Sequence, residues 1–455
     1  MKITVLNGSP KGDQSNTMQY FRYIEKHFPD NEYRVFAVGY ESDDLEKSEF
    51  FQEVLDGIAQ ADGIIWVYPI TYFLVPSRMK RFIEMVFEKG KQPVFKGKYA
   101  TAISTSMHLF DHTSHNYLRG ISEDLGMSYL AGYSAMFRDL MVRRERSNLL
   151  GFADDFFNHI EKGIPVAREY DPVSYDVPEY KPGDFQSVPV LGDRSIVLLT
   201  DATEKDANLN NMIDVFVRSM PNEVTVVNLN EIHLRGGCKC CLHCCYDGVC
   251  IYDDDMNSIY RNTLLPADAI IYAGSIRDRY LSSRWKMFFD RFFVNAHRPT
   301  LEGKQGGFII SGPLRQLPNL RQLFTCFAET FGLNIAGWVT DEYADSERVT
   351  ALLKDLSNRI IWGLETNYKQ PVSFLGAGGR KLLRDINFVA GFIFVENYRY
   401  YKEHGLFDFP HSERKMRLTG VLLRKLLKLP GFRRKFQAQI NAKMLEPLEN
   451  AVERN

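Results

Sequence analysis

Six of the seven cysteines in this 455-residue chain fall within thirteen positions, Cys238-Lys-Cys240-Cys241-Leu-His-Cys244-Cys245-Tyr-Asp-Gly-Val-Cys250; the seventh, Cys326, stands alone. Thiols this crowded serve a metal or iron–sulfur site, a redox dithiol or a disulfide knot. Read as Cys238, Cys241, Cys244 and Cys250, the spacing C-x2-C-x2-C-x5-C returns four thiolates towards one point, as a cubane cluster requires. A tetrahedral zinc ion takes the same four ligands, and spacing does not separate the two. A loop without metal, kept for packing or thiol chemistry, is the third reading. Cys240 and Cys245 are spare in any four-ligand scheme. His243 reads as a loop residue, and Cys326, inside the apolar run 323–331, as a core residue.

A second set of residues follows the first predicted strand: Asn7-Gly8-Ser9-Pro10-Lys11-Gly12-Asp13-Gln14-Ser15-Asn16-Thr17. Gly8 and Gly12 permit tight turns. Ser9, Ser15, Asn16 and Thr17 supply hydroxyl, amide and backbone donors at a helix amino end, where the dipole favours an anion, and Lys11 adds charge. The loop has neither the Walker lysine pattern nor the G-x-G-x-x-G fingerprint. A capped strand–helix turn without ligand uses the same residue types.

The elements that position these loops repeat. Residues 61–82 align without a gap on 267–288, an offset of 206; Ala61, Asp62, Ile64, Ile65, Ile70, Ser77, Arg78, Lys80 and Phe82 all meet identical residues. The register continues through Gly97-Lys98 against Gly303-Lys304 and Gly126 against Gly332. Such self-similarity reads as a tandem duplication of one unit. Short apolar strands are predicted over 2–6, 33–38, 63–68 and 99–104, with helices over 15–28 and 78–87. The second unit has strands over 195–200, 223–229, 269–273 and 307–311. Alternating strands and amphipathic helices give an α/β fold of two doubly wound parallel sheets. The expected division is 1–164, a linker over 165–192 strapped along a surface, 193–370, and a helical extension over 371–455.

Composition sets bounds on function. Apolar content of 45% and charged content of 25% are ordinary for a globular protein, and the net charge of -1 carries no nucleic-acid signature. The amino terminus enters a strand directly, without the charged and apolar regions of a signal peptide. The expected setting is the cytoplasm, where clustered cysteines are ligands or redox groups more often than disulfides.

With Gly8-Ser9-Pro10-Lys11 and Ser15-Asn16-Thr17 in place, the chain resembles the flavodoxin-like NAD(P)H-dependent FMN reductases and, more narrowly, the iron–sulfur flavoproteins. The resemblance implies FMN on the first unit, with its phosphate at Ser9, Lys11, Ser15, Asn16 and Thr17. The family's Pro-x-Tyr segment, which walls the isoalloxazine, is here Pro69-Ile70-Thr71-Tyr72-Phe73 with one extra residue, so Tyr72 and Phe73 both qualify. The fourth strand ends at Ser104-Thr105-Ser-Met-His108, where the family again touches flavin. His108, His112 and His115 share that loop and read as exposed or substrate-binding; no residue stands out as a general acid or base. All three loops leave the carboxyl edge of the sheet.

The second unit is unlike the first at both sites. Its strand leads into Thr200-Asp201-Ala202-Thr203-Glu204-Lys205-Asp206, with no glycine and with carboxylates that repel phosphate. Its cysteine segment, from Gly237-Cys238 to Asp254-Asp255-Met256, matches the compact motif of iron–sulfur flavoproteins, which implies a 4Fe–4S cluster on Cys238, Cys241, Cys244 and Cys250. The first unit has no cysteine there. The resemblance thus implies an FMN-dependent oxidoreductase passing electrons between NAD(P)H or a reduced carrier, FMN in one half and a cluster in the other. The family's homodimers bring such sites together, which this tandem chain could do alone. A redox or zinc sensor built on the cysteine loop is the rival reading.

From about residue 374 the character changes. Between His411 and Lys443 there are ten Lys or Arg and a single acid, Glu413. Leucines over 421–429 fall on one helical face, and Pro430 ends the run. This reads as a helical cap whose leucines pack on the sheets, or as a contact for anionic lipid or an acidic carrier.

Overall fold

The structure is a computed structural model; it describes every residue except 41–42, 185, 191, 296, 410–413 and 454–455. His411 and Glu413 of the basic stretch therefore lie outside the described residues. The chain forms two compact units, Met1–Tyr398 and Arg399–Asn455.

The first half runs β1 (Lys2–Asn7), α1 (Asn16–His27), β2 (Glu32–Phe36), α2 (Ser48–Gln60), β3 (Gly63–Pro69), α3 (Ser77–Glu88), β4 (Tyr99–Ser106), α4 (Asp111–Asp124), β5 (Ser128–Tyr129), β6 (Tyr133–Met136) and α5 (Arg143–Lys162). The second half runs β7 (Gly192–Thr200), α6 (Ala207–Ser219), β8 (Asn222–Asn228), α7 (Cys244–Asp247), α8 (Met256–Ser258), β9 (Ala269–Ser275), α9 (Ser283–Arg291), β10 (Gln305–Ser311), α10 (Pro318–Phe331), β11 (Asn334–Thr340) and α11 (Ser346–Thr366). Helices α12 (Phe374–Val389), α13 (Val395–Glu403), α14 (Arg414–Leu426) and α15 (Pro430–Glu453) complete the chain. Every named strand pair is parallel.

The first sheet has the order β2-β1-β3-β4-β5, with β6 also on β4, and the second has β8-β7-β9-β10-β11. Both are the flavodoxin-like order, in which ligands bind at the carboxyl ends of the central strands. The expected second strand stops at Phe36 instead of 38, because Val38 turns its N–H back onto the Phe36 carbonyl at 3.0 Å.

The repeat extends to individual contacts. Asp62 accepts from the Lys2 amide at 2.8 Å, and Asp268 from the Ser195 amide at 2.9 Å. Lys98 Nζ donates to the Ala59 and Ala61 carbonyls, and Lys304 Nζ to those of Leu265 and Ala267. The tight turn after the third strand recurs as the bridges Thr71–Leu74 and Arg277–Tyr280. Its central residues, Tyr72 and Phe73 in one half and Asp278 and Arg279 in the other, all have positive φ.

Helices α3 and α9 pack against each other, and one apolar core runs from Trp66 and Phe82 through them to Tyr272, Trp285 and Phe289. Each sheet keeps a separate core on its outer face, around Val5, Phe21 and Phe156 in one and Leu198, Phe216 and Leu353 in the other. Between the halves the chain makes hydrogen bonds to both. The Glu169 and Tyr170 amides donate to the Glu123 carboxylate, and Ser174 exchanges hydrogen bonds with Gln316. Tyr180 inserts into the second outer core, its amide on Asn208 and its hydroxyl on Thr350.

The extension expected from residue 371 begins inside the first unit. Helix α12 lies on α10, where Gly376 and Gly379 allow close approach: a Cβ on Gly379 would stand 2.6 Å from Thr330 Oγ1. In the Arg399–Asn455 unit, taken by itself, Leu418, Leu422 and Leu429 are exposed. No described helix is long and apolar enough to cross a membrane.

Candidate flavin and cysteine site

The first sheet's leading loop is organised around its own backbone. Asn7 Oδ1 accepts from the Ser9 amide at 3.0 Å and Ser9 Oγ from the Lys11 amide at 3.2 Å. Ser15 caps α1 by accepting from the Thr17 amide at 3.1 Å. Thr17 Oγ1 meets Thr105 Oγ1 at 2.5 Å, which ties this loop to the end of β4. The buried Asn7 Nδ2 has no hydrogen-bond partner among the described residues. A helix amino terminus beside an unspent buried donor suits the phosphate of a nucleotide. Lys11 lines an open cavity of about 740 Å³ with Gly12, Gln14 and Tyr40, and Lys239 and Cys241 of the second half close its other side.

The turn after β3 carries Tyr72 and Phe73, the residues expected to wall a flavin. Thr71 and Leu74 exchange both backbone hydrogen bonds, at 3.0 and 3.1 Å, which forces Tyr72 and Phe73 into left-handed conformations with φ of 39° and 67°. Non-glycine residues hold such φ values only where surroundings over-determine them. Here Tyr72 stacks on Phe331 at 5.7 Å and donates its hydroxyl to the Phe292 carbonyl at 2.6 Å, both in the second half. Phe73 is buried edge-on to Phe110 at 5.4 Å. The extra residue of the Pro-x-Tyr segment is absorbed by this turn, and both rings face one cavity.

That cavity, of about 150 Å³, is lined by Ile70, Thr71, Tyr72, Phe73, Ser106, Met107 and Leu109 of the first half. Cys238, Cys240, Asp290, Phe293, His297 and Phe331 of the second half complete it. Among the expected flavin residues, Ile70, Tyr72 and Phe73 thus line it, whereas Pro69, Ser104, Thr105 and His108 do not. Ser104 instead bonds His115 Nε2 at 2.7 Å, and burial holds that imidazole's pKa down to about 4. His115 is therefore a half-buried imidazole held towards its neutral form, not an exposed loop histidine. His108 is half-exposed and bonded to Asp111 at 2.7 Å. Of the second-half wall, sequence reasoning named Cys238 alone as a thiol ligand, since nothing in a linear spacing says which surfaces meet.

The cysteine loop lies against this cavity. Cys238, Cys241, Cys244 and Cys250 line one small cavity of about 20 Å³, from which Cys240 and Cys245 are absent. These are the four ligands expected from the spacing. Arg291 holds the loop by both ends: it grips Asp254 with two bonds at 2.7 and 2.8 Å and donates to the Gly236 carbonyl at 3.1 Å. Arg291 and Lys239 also sit over the Tyr252 ring, so two cations flank the thiols. Gly237 permits close approach to the first half, where a Cβ would stand 2.1 Å from Ser77 Oγ. All seven cysteines are free thiols, and no group of three or more His, Cys, Asp or Glu among the described residues is set to hold a metal ion.

The second half's leading loop is closed by its own side chains. Trp285 Nε1 donates to Asp201 at 2.9 Å and Ser282 Oγ donates to its other oxygen. Burial raises the Asp201 carboxyl to about 6. Asp206 takes both the amide and the hydroxyl of Thr203, and Asn208 bonds Asp341 and the Pro178 carbonyl of the strap.

Residues 1–139 match the family model of NADPH-dependent FMN reductase. Over that first sheet the chain is similar to this family. A curated iron-sulfur flavoprotein from Archaeoglobus fulgidus is 33% identical over 111 residues, 23% of this chain and 49% of the relative. The chain thus spans about half the length of that relative. Among solved structures, an NADH:FMN oxidoreductase in its apo form is 22% identical over 34% of this chain and 87% of its own, with a TM-score of 0.29. An NAD(P)H:(acceptor) oxidoreductase from Paracoccus denitrificans is 21% identical over 35% of this chain and 97% of its own, with a TM-score of 0.30. General stress protein 14 from Treponema denticola, solved in complex with FMN, is 12% identical over 36% of this chain and 99% of its own, with a TM-score of 0.28.

Proposed function

We propose that this chain is an FMN-dependent oxidoreductase, arisen by tandem duplication, in which the first half holds FMN and the second holds a 4Fe–4S cluster. One observation carries the reading: Cys238, Asp290 and Phe293 line the aromatic cavity and the cysteine cavity alike, so the two sites share a wall. When bound, FMN takes electrons in pairs from NAD(P)H or a reduced carrier, and a cluster carries them singly. The protein's part is placement. Asn7, Ser9, Lys11 and the amino end of α1 would hold the phosphate; Ile70, Tyr72, Phe73 and Phe293 would exclude water from the ring; Cys238, Cys241, Cys244 and Cys250, which line one cavity, would be drawn together as the cluster's ligands, and Lys239 and Arg291 would offset its negative charge.

The closed loop around Asp201 supports one flavin per chain. The contacts repeated at an offset of 206 support the duplication.

Anaerobic purification with a visible spectrum, iron and acid-labile sulfide analysis tests the reading. The expected result is a flavin spectrum with about four irons per chain, the number a single cubane holds. Cys241→Ser should lose the iron and keep FMN, whereas Asn16→Ala with Thr17→Ala should release FMN. A colourless protein holding one zinc would overturn the electron-transfer reading. Joint loss of flavin and iron in both variants would overturn the division between halves.

A further inference from the structure

Two buried lysines, 206 positions apart, reach across between the halves in mirror fashion. Lys80 on α3 pairs with Glu84 at 3.3 Å and Asp278 at 3.3 Å, and donates to the Arg277 carbonyl at 3.1 Å. Lys286 on α9 pairs with Asp290, and donates to the Thr71 carbonyl at 2.9 Å and to Thr71 Oγ1 at 3.2 Å. The carboxylates cross as well. Glu84 accepts from the Ser283 amide at 2.5 Å, and Asp290 from the Ser77 amide at 2.9 Å. Each lysine–carboxylate pair therefore caps the facing helix with its carboxylate and holds the facing turn with its ammonium.

The two copies differ in what they hold. Lys80 holds the turn of Asp278 and Arg279, beside the leading loop closed by Asp201. Lys286 holds the turn of Tyr72 and Phe73, which walls the aromatic cavity, and Asp290 lines that cavity and the cysteine cavity together. Neither lysine side chain touches solvent, so each ammonium must find all its partners inside the protein. An ammonium in that position fixes the carbonyl it meets, because letting go strands a buried charge.

We infer that Lys286 and Asp290 are positioning residues for the flavin site: through them the second half sets the geometry of the first half's Tyr72–Phe73 turn. Lys80 and Glu84 are the same device on the Asp278–Arg279 turn, which does not line the aromatic cavity. The two left-handed residues of the turn are strained by themselves, and the Lys286 ammonium on the Thr71 carbonyl is what keeps the turn closed. The flavin part of this inference rests on the proposed function; the turn-closing part does not.

Two charge-neutral double variants of the full chain test it, since removing one member alone would leave a buried charge and risk unfolding. One is Lys286→Met with Asp290→Met, the other Lys80→Met with Asp278→Asn, which leaves Glu84 paired with Arg81 at 3.5 Å and with the Ser283 amide. In the protein without added FMN, amide hydrogen exchange at Thr71 and Leu74 should quicken about tenfold in the first variant and stay near wild type in the second. Arg277 and Tyr280 should behave the opposite way. FMN titrated into each should bind roughly tenfold more weakly to the first variant and within about twofold of wild type to the second. Equal exchange at Thr71 and Leu74 in the two variants overturns the clamp. Equal FMN affinity with unequal exchange overturns its role in the flavin site. A wild-type chain that binds no FMN overturns the proposed function and that role, while the exchange result still decides the turn.

Discussion

Asp201 is the residue where the two halves part company most sharply. Its carboxyl is raised to about 6 by burial, against hydrogen bonds from Ser282 and Trp285 that favour the ionised form. Between the unfolded value of about 3.9 and this one, the folded state binds the proton and the unfolded state does not. Stability therefore falls as pH rises from about 4 to above 6, by about 3 kcal/mol for this group alone. Asp201→Asn keeps an acceptor for Trp285 and removes the ionisation. Its melting temperature, measured against wild type, should gain on wild type between pH 5 and 7; parallel profiles would contradict the assignment. Arg291 is the other decisive residue. Arg291→Met leaves Asp254 buried without its partner, at a cost of about 3–5 kcal/mol, and should open the cysteine loop. Faster reaction of its thiols with a thiol reagent in the folded protein is the expected sign. These partnerships were not legible in the sequence: the cysteine spacing named four thiols that do line one cavity, but Arg291 lies 41 residues beyond Cys250 and no spacing rule joins them.

The elements were easier to read than their contacts. Strands β1, β3, β4, β7, β9 and β10 follow from short apolar runs bounded by turn residues, because a parallel sheet buries both faces of such strands. The turn after β3 was less legible, since Tyr72 and Phe73 adopt positive φ under tertiary constraint and not by propensity. Ser104 and Thr105, expected at the flavin, bond His115 and Thr17; local sequence marks the loop, whereas the packing around it decides which partners its side chains find. Gly237 permits a second test of how elements meet. Gly237→Ala places a methyl 2.1 Å from Ser77 Oγ and should cost about 1–3 kcal/mol by overpacking. Adding Ser77→Ala removes the obstructing oxygen, so the pair should recover most of that loss in a denaturation cycle. Additive losses would mean that this contact does not set the distance between cysteine loop and α3.

At the scale of the molecule, the central core has no boundary between halves. Trp66 and Phe82 belong to the same buried cluster as Tyr272 and Phe289. Unfolding of the Met1–Tyr398 unit should therefore proceed in one cooperative transition by circular dichroism and by tryptophan fluorescence, with coincident midpoints. Residues 1–164 expressed alone would uncover the α3 face and the Tyr72 ring, and should self-associate by size-exclusion chromatography. A well-behaved monomer would show that the first half does not depend on the second. The repeat at 206 was visible in the sequence, but its consequence for contacts was not, because a sequence repeat does not say whether its copies face one another.

In an assembly of two identical chains, every substitution is made twice. A carboxylate in the leading loop would enter both copies and abolish both anion sites together. Here Asp201 occurs once, opposite an intact Ser9 and Lys11, and six cysteines occur once, opposite a segment that has none. Joining both halves in one chain lets each position mutate without its counterpart, so that surfaces which still match contact for contact can enclose two unlike sites.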